Sequence, residues 1–229
     1  MGLFSALKQW VRVKPAINKE WADTTLSALP LLAIDLELTS LNAKVAKVTS
    51  VGWVSGKGST IHLDTAYYQI VRAAGSLAQS PVIHGLTAET IESGAHVKDA
   101  MKELAAYAST HVWVFHNASL DTAVLNRVLT ELGMLMPDIL TVDTLKLALY
   151  MLQKEGQVAA PNSATLAVCR QKLGLPAAPQ HNSLDDAMAT LQLLQAQMHD
   201  LGATNQTCFS DLFHTHAVAQ INLGKSVNR

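Results

Sequence analysis

The stretch L-L-A-I-D-L-E-L-T-S-L, residues 31–41, places two carboxylates at the end of a short apolar run. The apolar run predicts a buried β-strand over residues 31–38. Successive side chains of a strand point to opposite faces, so Asp35 and Glu37 project to the same side. The pair could share one cation or bridge two, although a solvated strand end would show the same pattern.

Two later clusters carry the same kind of side chain beside predicted helices. Asp121 closes F-H-N-A-S-L-D at 115–121, and H-N-S-L-D-D-A at 181–187 contains His181 and Asp186. Each acid alone fits the first turn of a helix, where a negative charge complements the helix dipole. Several carboxylates gathered in one cleft would instead repel one another unless a cation held them. Oxygen ligands without cysteine favour Mg²⁺ or Mn²⁺ over Zn²⁺.

The order of predicted elements indicates an α/β domain with a mixed sheet and helices on both faces. The first three strands have short links and predict an antiparallel meander, with a turn at 55–58. The predicted strands cover 31–38, 48–54, 60–63, 112–115 and 139–142, and the predicted helices cover 97–108, 120–132, 143–152, 164–173 and 184–198. An amphipathic helix is predicted over 3–13, where it would pack on the domain or dock on a partner. Periodicity fades from about Gly202 onward, and no fold is assigned there.

The composition indicates a compact, soluble protein. The 229 residues include 15% charged and 49% hydrophobic side chains, with a formal net charge of −1. The absence of a dense basic run argues against tight binding along a duplex, though not against a pocket for one strand end. No apolar stretch reaches the ~18 residues of a membrane span, and the start lacks the order of a signal peptide. We therefore expect a cytoplasmic protein with no membrane partner.

These clusters and their order resemble the DnaQ-like 3′–5′ exonucleases with four acids and a histidine, the DEDDh family. D-L-E-L-T-S-L resembles the family's D-x-E-T-T-G-L, H-N-A-S-L-D its H-N-A-x-F-D, and H-N-S-L-D-D-A its H-x-x-x-x-D-A. I-H-G-L-T-A-E-T at 83–90 is similar to the family's H-G-I-T, and V-D-T-L at 142–145 to its D-T-L. The resemblance covers about residues 30–200 and extends to the proofreading epsilon subunit of bacterial DNA polymerase III.

The resemblance implies a metal-dependent phosphodiesterase. His181 would be the general base that takes a proton from the attacking water. Chemistry alone leaves Asp185 and Asp186 equivalent, and the family's spacing from the histidine selects Asp186. Two divalent cations, Mg²⁺ or Mn²⁺, would be held by four acids: Asp35, Glu37, Asp121 and Asp186.

The resemblance also implies a group of side chains around the terminal nucleotide: Leu38, Thr39, Leu41, His84 and Asn117. Leu41 is the candidate wedge under the last base, although a plain core position fits it equally well. Two residues depart from the family pattern. Ser40 replaces a glycine whose freedom lets the chain turn tightly, and Leu120 replaces a common phenylalanine. Neither change removes a ligand, but both could alter how the terminal nucleotide is seated.

The fold implied by the resemblance is ribonuclease H-like, with a mixed five-stranded sheet flanked by helices. On this interpretation an exonuclease domain covers residues 29–201. An N-terminal helical extension would precede it at 1–28, and a C-terminal tail would follow at 202–229.

Three functions stay open at this point. The first is a 3′–5′ exonuclease that releases 5′ mononucleotides from single-stranded or frayed DNA, in proofreading or repair, alone or with a polymerase or other protein partner. D-L-E-L-T is also close to oligoribonuclease's D-L-E-M-T, so an exoribonuclease of the oligoribonuclease or ribonuclease T type is the alternative. In both cases the partner is a nucleic acid 3′ end. A non-catalytic scaffold that binds such ends is disfavoured, because all four acids and the histidine are present.

Overall fold

A mixed β-sheet forms the centre of the protein in a computed structural model, which describes residues 17–73, 86–160, 162–179 and 181–224. Within those ranges the sheet has six strands: β1 (Pro30–Leu38), β2 (Val48–Lys57), β3 (Thr60–Ile70), β4 (Val112–Phe115), β5 (Ile139–Asp143) and β6 (Val218–Ile221). Their spatial order is β3-β2-β1-β4-β5-β6. Strands β1, β4 and β5 run parallel, whereas β2 is antiparallel to β1 and β3, and β6 is antiparallel to β5.

Helices cover both faces of this sheet, as the sequence predicts. They are α1 (Lys19–Asp23), α2 (Ala88–Glu92), α3 (Val97–Ala105), α4 (Ala118–Glu131), α5 (Thr144–Lys154), α6 (Leu166–Lys172) and α7 (Ser183–Asp200), with a 3-10 helix at Phe209–Thr215. Alternating side chains of the strands create two buried clusters. Ile34 packs in one cluster with Leu125 of α4, and its neighbour Ala33 packs in the other with Leu191 of α7. The α/β prediction is confirmed.

The sheet has one more strand than the five that the sequence predicts. Strand β6 lies in the segment after Gly202, and it pairs with β5 so that Val218 stands opposite Val142. The preceding 3-10 helix buries Phe209 completely against the same cluster as α7. The four residues of β6, V-A-Q-I, include an exposed glutamine and so lack the continuous apolar run, V-W-V-F, by which β4 could be predicted.

Strands β2 and β3 are longer than predicted. The turn predicted at 55–58 begins later than expected. Strand β2 continues to Lys57, and the chain turns at Gly58, whose φ is +56°. Strand β3 has 11 residues rather than the four expected. It is an edge strand, and the exposed Asp64 interrupts the apolar pattern directly beyond Leu63.

Two predicted segments lie outside the described residues: the amphipathic helix at 3–13 and the part of the H-G-L-T match that contains His84. Elsewhere the boundaries agree closely, and the predicted strand at 112–115 coincides with β4. None of the helices in the described ranges is long and apolar enough to cross a membrane.

The start of α7 rests directly on the backbone of β2 at Gly52. Gly52 stands opposite Asp35 in the β1–β2 ladder. A Cβ added to Gly52 would lie 2.3 Å from the backbone nitrogen of Leu184 and 2.4 Å from the carbonyl carbon of Ser183. Beside this contact, the hydroxyls of Ser50 and Ser183 form a hydrogen bond of 3.1 Å. Only a residue without a side chain allows so close an approach.

Replacing Gly52 with alanine should displace the start of α7. We expect the free energy of unfolding to fall by about 2 kcal/mol, because overpacking a filled contact costs about 1–3 kcal/mol. Urea denaturation followed by circular dichroism measures the change. The matched control is Ala66→Val on exposed β3, which should alter stability by less than about 0.5 kcal/mol. A Gly52→Ala variant as stable as the parent would contradict the close contact.

Candidate functional site

Three carboxylates meet near the C-terminal end of β1. Oxygen atoms of Asp35, Glu37 and Asp186 all lie within 4.8 Å of one another. Asp35 and Asp186 are partly buried, and Glu37 is only 6% exposed. The group offers carboxylate oxygens alone, which are the ligands that hard divalent cations prefer. These three side chains could therefore hold a metal ion.

Asp121 adjoins this group without belonging to it. It lies in the first turn of α4 and is 8% exposed. Burial is the largest cause that raises the pKa of Asp35, and the charge of Asp121 is the second largest. Burial likewise raises the pKa of Asp121, and the charges of Asp143 and Glu37 add to that effect. The four acids singled out in the sequence thus share one electrostatic environment.

Burial and mutual repulsion raise the pKa of each acid in this environment. Burial is the largest cause for Glu37, and together with the charge of Asp186 it raises the pKa of Glu37 to about 7. Burial also raises the pKa of Asp186, although the backbone N–H of His181 favours its charged form. A bound cation would offset the repulsion and favour the ionised acids.

His181 lies five residues before Asp186, at the entry to α7. Its backbone N–H donates to Asp186 Oδ2 at 3.2 Å. The residue has a φ of +66° and is exposed. His181 thus stands beside Asp186, and it is accessible to solvent.

The structure describes four of the remaining predicted residues, which lie in the segments directly after Glu37 or before the helix that carries Asp121. Leu38 is half-buried at the end of β1, and Leu41 is 87% exposed in the following loop. The Thr39 hydroxyl accepts a hydrogen bond of 2.9 Å from the backbone N–H of Lys47. Asn117 is exposed at the start of α4 with a φ of +79°. His84 lies outside the described residues.

Asp143 is an acid whose role the sequence analysis missed. It is 2% exposed. Its carboxylate accepts backbone hydrogen bonds from Asn117 at 3.1 Å, Ala118 at 3.2 Å and Leu145 at 3.0 Å. These bonds fix the turn that leads into α4 and so the position of Asp121. The signal in the sequence was an acid at the first position of the helix predicted at 143–152, where it can cap free N–H groups.

Arg170 is a buried cation beside Asp186, and no sequence pattern singled it out. It is 4% exposed and donates to the carbonyls of Ala189 at 2.8 Å and Pro176 at 3.0 Å. These bonds join α7 to the loop that leads toward His181. The available signal was a charged residue within the apolar helix predicted at 164–173. Buried arginine is rare unless it is paired, so an arginine there indicates a polar partner.

Comparison with known proteins identifies a matching family and proteins of similar sequence. A family model described as exonuclease, RNase_T, matches residues 32–194. The DNA polymerase III PolC-type of Thermotoga maritima is 27% identical over 182 residues, which cover 79% of this chain and 13% of that protein. The DNA polymerase III PolC-type of Oceanobacillus iheyensis is 26% identical over 174 residues, which cover 76% of this chain and 12% of that protein. The chain thus spans about an eighth of the length of these curated relatives.

Solved structures share the fold at low sequence identity. The nuclease domain of 3'hExo, a DEDDh family member bound to rAMP, matches with a TM-score of 0.63 and 14% identity over 79% of this chain and 96% of its own. E. coli Exonuclease I in complex with a dA16 oligonucleotide matches with a TM-score of 0.60 and 14% identity over 75% of this chain and 41% of its own. The ribonuclease H-like fold class that the sequence predicts is confirmed.

The raised pKa values predict that the metal-free protein loses stability as the pH rises. In the unfolded chain the acids ionise near their ordinary pKa of about 4. In the folded chain Glu37 stays protonated until the pH approaches its pKa of about 7. The folded state therefore binds more protons between about pH 4 and pH 7, so the free energy of unfolding contributed by Glu37 falls across that window.

Thermal melts in EDTA between pH 4.5 and 7.5 measure this effect. Comparing the parent with Glu37→Gln separates the contribution of Glu37 from those of the other ionisable groups. The melting temperature of the parent should fall relative to the variant as the pH rises. MnCl2 should raise the melting temperature of the parent at pH 7.5 more than that of the variant. Parallel melting curves in EDTA, together with an equal response to Mn²⁺, would contradict the repulsion described above.

Proposed function

This chain belongs to the RNase_T exonuclease family, whose members are hydrolases, and from that premise we propose that it shortens nucleic acids from the 3′ end. The proposed reaction releases 5′ mononucleotides from single-stranded or frayed DNA. The observation that carries the proposal is the convergence of Asp35, Glu37 and Asp186 within 4.8 Å, with Asp121 beside them. A carboxylate cluster whose members repel one another is costly to a fold that has no cation to bind there.

The four acids would hold two divalent cations, Mg²⁺ or Mn²⁺. Such a pair activates a water and stabilises the leaving oxygen when a phosphodiester is hydrolysed. Glu37 and Asp35 lie on one strand and Asp186 on a helix packed across it, so the scaffold that positions them is rigid. The oxygen-only donor set supports this choice of metal.

His181 would take the proton from the attacking water. Its position beside Asp186, held by the backbone hydrogen bond of 3.2 Å, supports this role. Histidine is suited to the task because its ordinary pKa lies near neutral pH. The exposed imidazole could pass the proton on to solvent.

The loop that follows β1 would seat the terminal nucleotide. Leu41, 87% exposed, would pack under the last base, and Leu38 and Thr39 would border the sugar. Asn117, exposed at the start of α4, would line the opposite side, and His84 would complete the pocket. The exposure of Leu41 leaves its side chain available to a base, which supports this role.

DNA is the first choice of substrate because the relatives in sequence are DNA polymerases of the PolC type. The likeness to polymerases also supports the proposal of a role in proofreading or repair with a polymerase as partner. RNA is the second choice. It is favoured by D-L-E-L-T, which resembles the motif of oligoribonuclease, and by the bound rAMP of the 3'hExo nuclease domain. The sugar's 2′-hydroxyl is the feature that a site must accept or reject.

A matched pair of 5′-labelled oligomers tests the proposal. A single-stranded DNA and an RNA of the same sequence are incubated with Mn²⁺ or with EDTA, and the products are resolved on a gel. A ladder that shortens from the 3′ end only with Mn²⁺ supports the exonuclease, and the faster oligomer identifies the substrate. Absence of cleavage for both oligomers would contradict the enzyme and favour a scaffold that binds nucleic acid ends.

Asp35→Asn should separate activity from stability. The change removes a charge at nearly constant size, so we expect activity to fall by about a hundredfold or more. Stability in EDTA should rise, because one source of repulsion is gone. Gel assays and thermal melts measure both effects, and Asp64→Asn on exposed β3 is the control. Activity close to that of the parent would contradict a metal role for Asp35.

His181→Asn should reduce the rate without abolishing it. Asparagine tolerates the left-handed backbone at this position, so the loss of the imidazole is isolated. We expect a decrease of about 10²–10⁴-fold in kcat, the usual contribution of a general base. Mn²⁺ affinity by calorimetry should stay within about twofold of the parent. His62→Asn on β3 is the control, and an unchanged kcat for His181→Asn would exclude the proposed base.

A further inference from the structure

The loop between β1 and β2 comes directly after the carboxylate pair and carries the exposed Leu41. Its base is closed by Thr39 and Lys47, whose backbones are joined by a hydrogen bond of 3.0 Å from the Thr39 N–H. Within the loop, the Asn42 carbonyl accepts from the N–H groups of Val45 at 3.0 Å and Ala46 at 2.9 Å. These bonds shape the loop but do not fix its position against the rest of the molecule.

Arg127 of α4 provides a polar attachment, in addition to the burial of Ala46 in the core. Its Nε donates to the carbonyl of Ala43 at 3.0 Å, and its Nη2 donates to the carbonyl of Ala46. Its Nη1 donates to Glu131 Oε1 at 2.7 Å, and the Arg127 side chain is 27% exposed. The guanidinium therefore uses its planar fork to hold two points of the loop, which a lysine ammonium could not do with the same geometry.

Arg127 connects the loop to the helix that carries Asp121. The two residues are six positions apart on α4, about 9 Å along the helix axis. The same rigid helix thus bears one acid of the site and, through Arg127, the loop that bears Leu41. A rotation or shift of the loop relative to α4 would move Leu41 relative to the carboxylates.

We infer that Arg127 is a positioning residue for the substrate: it fixes the loop so that Leu41 meets the terminal nucleotide at the correct distance from the carboxylates. This inference rests on the function proposed above. The donors of Arg127 are directed to Ala43, Ala46 and Glu131, so we assign it a positioning role and no direct contact with metal or substrate.

Steady-state kinetics on the single-stranded oligomer test the inference. Arg127→Met and Arg127→Lys should raise KM about tenfold while kcat changes by less than about threefold, because the loss is in substrate seating. Mn²⁺ affinity by calorimetry should be unchanged. Glu131→Gln is the matched control: it removes the exposed ion-pair partner and leaves both loop bonds, so KM should stay at the parental value.

A double-mutant cycle with Leu41→Ala distinguishes positioning from a general loss of stability. If Arg127 acts through Leu41, then Arg127→Met should add little to the KM of the Leu41→Ala protein. Full additivity of the two changes, or an unchanged KM in both Arg127 variants, would overturn the inference while the exonuclease itself remained active. An inactive parent protein would overturn the proposed function, and this inference with it.

Discussion

The close packing of α7 on the backbone of β2 is the constraint on which the site depends. Asp35 stands opposite Gly52, and Asp186 lies in the first turn of the helix that touches Gly52. This contact brings together carboxylates from distant parts of the chain. Apolar residues farther along α7, such as Leu191 and Leu194, bury the helix against the sheet. Hydrophobic burial thus supplies the free energy that holds like charges close to one another.

The protein uses buried carboxylates in two different ways. Asp143 accepts three backbone N–H groups, so its negative charge is compensated by the fold itself. Asp35 has other acids as charged neighbours, and burial, followed by the charges of Asp121, Glu37 and Asp186, raises its pKa. The first arrangement stabilises a turn, whereas the second leaves oxygen atoms available to a ligand from solution. The difference lies in the neighbours of each acid and not in the residue type.

Short-range patterns in the sequence were sufficient for most of the elements. Strand β4 and helix α7 could be predicted because apolar side chains recur there at the spacing of a buried strand and of a helix. The motifs also predicted which acids would gather. They could not show that position 52 must lack a side chain. The atoms that exclude a side chain there belong to Ser183 and Leu184, far along the chain. Contacts between distant segments have no local signature, and Arg127 was missed for the same reason.

The pairing of β6 with β5 has a consequence for how the protein can be divided. A fragment that ended at residue 201 would lose β6 and leave the outer edge of β5 with open hydrogen-bonding groups. Such an edge recruits strands from other molecules. Loss of the 3-10 helix would also uncover the apolar surface that Phe209 buries. Recombinant fragments cut at the end of α7 would therefore be prone to self-association, whereas those extending past Ile221 would keep β5 paired and leave only the four-residue β6 at that edge.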